Sequence, residues 1–163
     1  IDRSLVGSEM CIRDSPYIAD KSGQKIWQML KGASHGWDEP RTPVKYYVQN
    51  TVVVKRGKNQ DFMRVHRRFK QVMSKMEYTG NKGVFKLVSG GNEQTFMIIR
   101  GFDSHSETFT TNLPEDGSWR DVYAELFGEE AMAEDMPALN ESIEMWGSSV
   151  VKMMYRPDLS SKL

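Results

Sequence analysis

The spacing of hydrophobic positions changes several times along the chain, and each change predicts a new secondary-structure element. From position 44, "VKYYVQNTVVVKRG" is rich in β-branched and aromatic residues and ends at a glycine, which predicts a strand. The next stretch, "NQDFMRVHRRFKQVMSKM", predicts a helix with Asn59 as its N-cap, because its apolar residues recur every three or four positions. These apolar positions are Phe62, Val65, Phe69, Val72, Met73 and Met76.

Five further elements follow the first helix. "GVFKLVS" and "QTFMIIRGF" predict two strands joined by the hairpin turn "GGNE". A second helix is predicted from about Ser118 until Gly128 ends it, and a short helical segment is predicted over residues 129–140. "SIEMWGSSVVKMMYRPDLS" predicts a last strand, bent at Gly147. The resulting order, β-α-β-β-α-β, predicts a ferredoxin-like unit of the α+β class.

The predicted strands are apolar on both faces, although the helices of such a unit cover only one. Phe85 and Leu87 alternate with Val84 and Val88, and the two later strands have the same two-sided pattern. A sheet face with this much apolar area is not left in water. We therefore expect a second sheet to cover it, contributed by another copy of the chain or by an upstream repeat.

The first 43 residues interrupt this regular pattern. Residues 1–15, "IDRSLVGSEMCIRDS", follow neither a helical nor a strand period and are similar to a translated sequencing-library adapter, so we expect a non-native segment there. Residues 16–43 are expected to be the remnant of an upstream region and a linker, and residues 44–163 the domain itself. Within the remnant, "SGQKIWQMLKG" predicts a short amphipathic helix closed by Gly32. A signal peptide would lie upstream, so localisation is left open.

Charge and cysteine content exclude several function classes. The chain has 22 basic and 22 acidic residues, and 20 and 19 of them lie outside residues 1–15. This balance argues against nucleic acid or an anionic membrane as a partner. The single cysteine, Cys11, lies in residues 1–15, so no disulfide or thiolate metal site is expected in the domain. No apolar run approaches the roughly 18 residues of a membrane helix, and a soluble domain is expected.

The order of the elements resembles that of a known superfamily. A strand, "KRGK", an amphipathic helix with an aromatic residue at its start, a hairpin and a last strand ending "RPDLS" resemble the dimeric α/β-barrel superfamily, which includes the antibiotic-biosynthesis monooxygenase-like domains. The resemblance covers about residues 44–160. It implies that two such units pair sheet to sheet, as a homodimer or as tandem repeats of one chain.

Asn50 is the most unusual residue of the first predicted strand, because it shares an apolar face with Tyr46, Val48 and Val52. It matches an Asn on the first strand of the haem-degrading branch of the resembled superfamily. That branch also has a Trp at the end of the third strand and a His in the second helical region. Here Arg100 begins the segment where the Trp is expected, and the second helix has no His. We therefore expect neither haem nor another cofactor, and Asn50 either orients a ligand or makes a structural hydrogen bond.

His66 lies at the margin of the first helix's apolar stripe, near Phe62 and Phe69. It is a candidate acid or base, although a packed, hydrogen-bonded histidine is the commoner outcome for such a position. Tyr46, Asn50 and His66 together form the predicted ligand-binding set.

Two polar clusters have simpler interpretations. "DSHSE" places Asp103, His105 and Glu107 at a spacing that could suit a metal, but its serine-rich composition favours a solvated loop, and no metal is expected. Opposite the apolar stripe of the first helix lie four basic residues, interpreted as the wet face of an amphipathic helix rather than a surface for an acidic partner. They are Arg64, Arg67, Arg68 and Lys75.

Two function classes follow from the sequence. The first is a small-molecule-binding or cofactor-independent, monooxygenase-like barrel with a pocket between helices and sheet, near the predicted ligand-binding set. The second is a non-enzymatic dimerisation or structural module of the same fold. The first predicts an enclosed cavity marked by polar groups with shifted pKa values, and the second predicts a filled one.

Overall fold

The computed structural model describes residues 17–20, 25–37, 44–106, 117–147 and 151–154. The adapter-like segment and the terminal "RPDLS" lie outside these ranges. The described residues form an α+β structure in which helices pack on one face of an antiparallel sheet.

The strands are β1 (Tyr17–Asp20), β2 (Lys25–Met29), β3 (Tyr46–Val54), β4 (Lys82–Ser89), β5 (Thr95–Phe102), β6 (Ile143–Trp146) and β7 (Val151–Met154). The helices are α1 (Asn59–Lys75), α2 (Ser118–Phe127) and α3 (Ala131–Ser142), and a 3₁₀ turn spans Lys31–Ala33. The helices, the hairpin and the bent last strand therefore fall where the periodicity predicts them.

The sheet has the order β1-β2-β4-β5-β3-β6, with every neighbouring pair antiparallel. β6 and β7 both pair with β3, one after the other, and Gly147 directly follows β6. The Gly147 N–H donates to the Thr51 carbonyl at 2.6 Å, and a Cβ at position 147 would lie only 2.3 Å from that oxygen. Only glycine permits this approach of the two backbones.

The prediction of a helix in "SGQKIWQMLKG" is wrong, because residues Lys25–Met29 of this segment form β2. β2 pairs with the edge of β4, and Trp27 lies opposite Leu87, where its ring is buried. Five residues gain more from a neighbouring strand's hydrogen bonds and an apolar sheet face than from one isolated helical turn. The sheet thus extends beyond the boundary predicted at residue 44, and Ala33 of the following turn reaches the core.

α1 begins one residue earlier than its predicted cap implies. Lys58 occupies the N-cap position without a side-chain hydrogen bond, and Asn59 is the first helical residue. The apolar stripe of α1 is buried as predicted. Phe62 packs against Val52 and Phe96 of the sheet, whereas the next turns contact the other two helices, with Phe69 against Tyr123.

Both faces of the sheet are apolar. The face toward α1 includes Val52 and Val84, and the opposite face has a separate buried cluster. That cluster consists of Trp27, Phe85, Leu87, Met97 and Ile99. Within the described residues, the upstream strands extend this sheet sideways and do not form a second layer on its far face.

Candidate functional site

The most unusual contact in the structure joins α1 to the sheet through two basic side chains. His66 and Lys82 are both buried, and Lys82 Nζ lies 3.1 Å from His66 Nδ1. An ammonium can only donate, so protonated Lys82 donates to Nδ1 and the imidazole proton lies on Nε2. The His66 and Phe62 rings meet edge to face, with their centres 4.4 Å apart. Lys82 Nζ lies 5.1 Å from the centre of the Phe69 ring.

Strand alternation brings Lys82 to this position. Lys82 begins β4 two residues before Val84, so both side chains are on the face that α1 covers. Its backbone is fixed from both sides, because it pairs with Arg100 of β5 and exchanges two hydrogen bonds with His35, of 2.8 and 2.9 Å. The backbone of Lys82 is therefore fixed with its side chain on the face that α1 covers, where the side chain is buried.

Burial changes the proton affinity of this pair. Loss of hydration lowers the pKa of Lys82 to about 7, with a further contribution from the positive charge of Arg100. Burial, followed by the charge of Lys82, lowers the pKa of His66 well below its ordinary value. Near neutral pH the imidazole is therefore uncharged, and Lys82 is divided between its charged and neutral forms.

The cluster lacks an acidic partner within the described part of the chain. The ion pairs among those residues join other basic side chains to Asp61, Asp135 and Glu125. His66 Nε2 and Arg100 Nε are buried, and neither has a hydrogen-bond partner in that part of the chain. Burial also lowers the pKa of the Arg100 guanidinium, an effect that Tyr78 opposes. We call Lys82, His66 and Arg100 the basic cluster.

The structure places the three predicted site residues on the helix side of the sheet but does not join them in one contact. Tyr46 is half-buried, and its ring meets the His105 ring edge-on at 5.8 Å. Asn50 is also half-buried and pairs with Ile98 of β5, on the same face as Val52. Because β5 separates β3 from β4, Asn50 is roughly 10 Å across the sheet from β4. Of the three, His66 alone belongs to the basic cluster.

Lys82 and Arg100 are site residues that the sequence pattern did not predict. The strand prediction started at Gly83, one residue too late to give Lys82 a face, and Arg100 was considered only as a departure from a motif. A signal was present in "NKGV", since alternation with Val84 places Lys82 inward. The partner of Lys82 could not be identified from the sequence, because its pairing with Arg100 depends on the register of the β4–β5 hairpin.

The four basic residues of α1 were interpreted as a solvent-exposed face, and this interpretation is wrong for two of them, Arg64 and Arg68. Arg64 and Arg68 both donate to the carboxylate of Asp135 on α3, which is 1% exposed. The buried Tyr123 hydroxyl of α2 donates to the same carboxylate. α3 therefore covers this part of α1, while Lys75 pairs with Glu125 on α2.

"DSHSE" does not form a metal centre within the described residues. Asp103 and His105 are exposed, and Glu107 lies outside the described ranges. In the described part of the chain, no three His, Cys, Asp or Glu side chains are close enough to hold a metal ion.

The sheet face away from the helices carries a groove of about 500 Å³. Its apolar lining comes from Trp27, Leu87, Met97 and Ile99, and its polar lining includes Gln49 and Thr51 of β3. This is the face for which the sequence predicts a second sheet.

Comparison of the chain with protein-family models, with curated proteins and with solved structures found no match. None of the helices among the described residues has the length and apolar character needed to cross a membrane.

Proposed function

We propose that this chain is a ferredoxin-like unit of the dimeric α/β-barrel type and that it binds a small, largely apolar molecule between α1 and the sheet. The order β4-β5-β3-β6, with α1 connecting β3 to β4, supports the ferredoxin-like assignment, because it is the strand order of a split β-α-β-β-α-β unit.

The observation that carries the binding proposal is the contact between His66 and Lys82. A buried lysine without an acidic partner costs stability, as does a buried imidazole nitrogen without an acceptor. Such unsatisfied groups are concentrated at functional sites, where a ligand completes their hydrogen bonds. The side chains buried beside this pair, Phe62, Phe69 and Val84, are apolar, which suits an apolar ligand.

We extend the proposal to a cofactor-independent, monooxygenase-like reaction in which His66 is the acid–base group. The support for this role is the contact with Lys82, because a neutral Lys82 amine can accept from Nδ1–H and leave Nε2 free to take a proton from a bound molecule. Asn50 and Tyr46, half-buried on the same side of the sheet, are the proposed contacts for the far end of the ligand.

Binding is tested by an NMR screen of the ¹⁵N-labelled protein against small apolar compounds. We expect shifts at the amides of α1, β4 and β5 around the basic cluster. His66→Ala should weaken binding about tenfold or more, because it removes a buried hydrogen-bonding group. Gln71→Ala, at an exposed position of the same helix, should leave binding unchanged.

The role of Asn50 has a separate outcome in the same titration. If Asn50→Leu leaves binding intact and raises stability, Asn50 is a structural residue and not a ligand contact. If no compound shifts the amide resonances around the basic cluster, the result supports the non-enzymatic dimerisation or structural module instead.

The non-enzymatic dimerisation module is the second candidate, and exposed apolar residues favour it. Met145 and Trp146 of β6 are 58% and 61% exposed at the edge of the sheet. Met145 lies opposite Val53, on the side of the sheet that carries the groove. An exposed apolar edge beside an apolar groove is a typical surface for pairing with a second copy.

Sedimentation velocity tests this pairing. We expect a dimer at micromolar concentration, and we expect Met145→Glu with Trp146→Glu to weaken dimerisation at least about tenfold, because charges replace central apolar contacts. Val88→Glu is the control, since Val88 is also an exposed apolar residue but lies on β4, which β5 and β3 separate from β6. A wild-type protein that sediments as a monomer throughout this range would contradict the homodimer.

A further inference from the structure

The basic cluster has an excess of positive charge within the described residues. Lys82 and Arg100 are opposite each other on β4 and β5, so their side chains leave the sheet on the same face. The groups that face them from other elements are His66 and Phe69 of α1, His35 of the segment before β3, and Tyr78 after α1. None of these side chains is a carboxylate.

Unused hydrogen-bond donors accompany the excess charge. When Nδ1 of His66 accepts from Lys82, Nε2 carries the imidazole proton, and no described residue accepts it. Arg100 Nε is likewise buried without an acceptor among those residues. Lys82 has further N–H bonds to donate beyond the one directed at His66. Within the described part of the chain, the site therefore offers donors from three side chains, and two of these donors, His66 Nε2 and Arg100 Nε, have no acceptor.

We propose that the basic cluster binds the carboxylate group of a small acid whose remaining atoms are largely apolar. This inference rests on the proposed small-molecule function and narrows its ligand class. A carboxylate accepts hydrogen bonds at two oxygens and matches the planar guanidinium of Arg100 with two parallel bonds. The ligand's apolar part would contact the apolar side chains that are buried beside the cluster, Phe62, Phe69 and Val84.

A single negative charge suits the cluster better than a doubly charged phosphate. Lys82 is only partly charged near neutral pH, because burial lowers its pKa to about 7. Arg100 alone is then reliably cationic, and it balances one charge. A bound carboxylate would stabilise the ammonium form of Lys82, so binding should be accompanied by proton uptake at pH 8.

Matched pairs of probes test the inference: octanoate against octanamide, and phenylacetate against phenylacetamide. Each pair has the same apolar body and differs in charge. We expect at least one carboxylate to raise the melting temperature and to shift the amides of β4 and β5, and its amide to bind at least about tenfold more weakly. Calorimetry in two buffers of different ionisation enthalpy measures the proton uptake.

Arg100→Gln should weaken carboxylate binding by about tenfold to a hundredfold, because it removes a charge-assisted pair of hydrogen bonds. Arg56→Gln, in an exposed turn, should leave it unchanged. Lys82→Met repeats the test if Arg100→Gln does not fold, since removing a buried charge is not expected to unfold the protein.

The outcomes separate the two proposals. Equal binding of each carboxylate and its amide would overturn the carboxylate site and leave small-molecule binding in place. Binding that is unaffected in both Arg100→Gln and Lys82→Met would also overturn it. No binding of any of the four probes at millimolar concentration would overturn this inference, and the absence of hits in the wider screen would overturn the proposed function as well.

Discussion

Lys82→Met should make the protein more stable by about 2–4 kcal/mol at pH 7. The folded structure lowers the pKa of Lys82 to about 7, whereas an unfolded chain gives a lysine about 10.4. Each pKa unit of this difference lowers the free energy of unfolding by about 1.4 kcal/mol at a pH where Lys82 is protonated in the unfolded chain. Methionine fills a similar volume without that cost, although it leaves His66 Nδ1 without its donor and so loses about 1 kcal/mol.

The pH dependence gives this prediction a second measurement. Between about pH 7 and 10.4 the unfolded chain binds more protons at this position than the folded one. The free energy of unfolding of the wild type therefore rises with pH, because the cost of burying Lys82 falls. Below pH 7 both states are protonated and the full cost is present. Urea denaturation at pH 7 and pH 10 should therefore show a large difference between Lys82→Met and wild type at pH 7 and almost none at pH 10.

Lys86→Met is the matched control, because Lys86 lies on the same strand but is less buried than Lys82. Its effect should stay within about 0.5 kcal/mol, as is usual at such positions. A Lys82→Met protein that is less stable than wild type at pH 7 would show that the lysine is structurally favourable. The buried charge would then no longer argue for a ligand.

A buried polar residue that weakens the fold is a candidate for a functional role, and this links the stability prediction to the site. Proteins commonly lose stability where function requires a polar group inside an apolar layer. If Lys82→Met stabilises the fold and also abolishes carboxylate binding, the two results together assign the lysine a functional role.

Local periodicity predicted those elements whose own residues determine their structure. The stripe of α1 that contains Phe62, Val65 and Phe69 is buried, because a helix of this length exposes one face to whatever it packs on. β2 was predicted wrongly because its structure comes from pairing with β4, more than fifty residues later in the chain. Short segments follow such long-range partners rather than their own propensities.

The site was harder to predict than the fold, since its chemistry depends on which side chains are excluded from water. His66 was found because a polar residue stood beside an apolar stripe. Lys82 was overlooked because lysines are almost never buried, and its environment arises only when β4 meets β5 and α1. Asp135 lies in a helix with three acidic residues, Glu134, Asp135 and Glu141, and only the packing of α3 on α1 and α2 buries it.

Asp135→Ala should destabilise the protein by about 3–5 kcal/mol, the usual cost of removing one partner from a buried ionic network. The Asp135 carboxylate accepts hydrogen bonds from Arg64, Arg68 and Tyr123, and so joins all three helices. Its loss leaves the Tyr123 hydroxyl buried without this acceptor and two guanidinium groups without their anion. We expect α3 to separate from α1 before the sheet opens. Amide hydrogen exchange should then be faster in α3 than in β4.

Acid should reproduce part of this loss in the wild type. Burial by itself would raise the pKa of Asp135, but hydrogen bonds from Tyr123, Arg68 and Arg64 outweigh it and hold the pKa below its usual value. The network's contribution is therefore complete above about pH 4 and is lost as the pH falls through the lowered pKa. Glu134→Ala, at the exposed neighbouring position, should change stability by less than about 0.5 kcal/mol. An Asp135→Ala protein with wild-type stability, or with unchanged hydrogen exchange in α3, would show that apolar packing alone holds the three helices together.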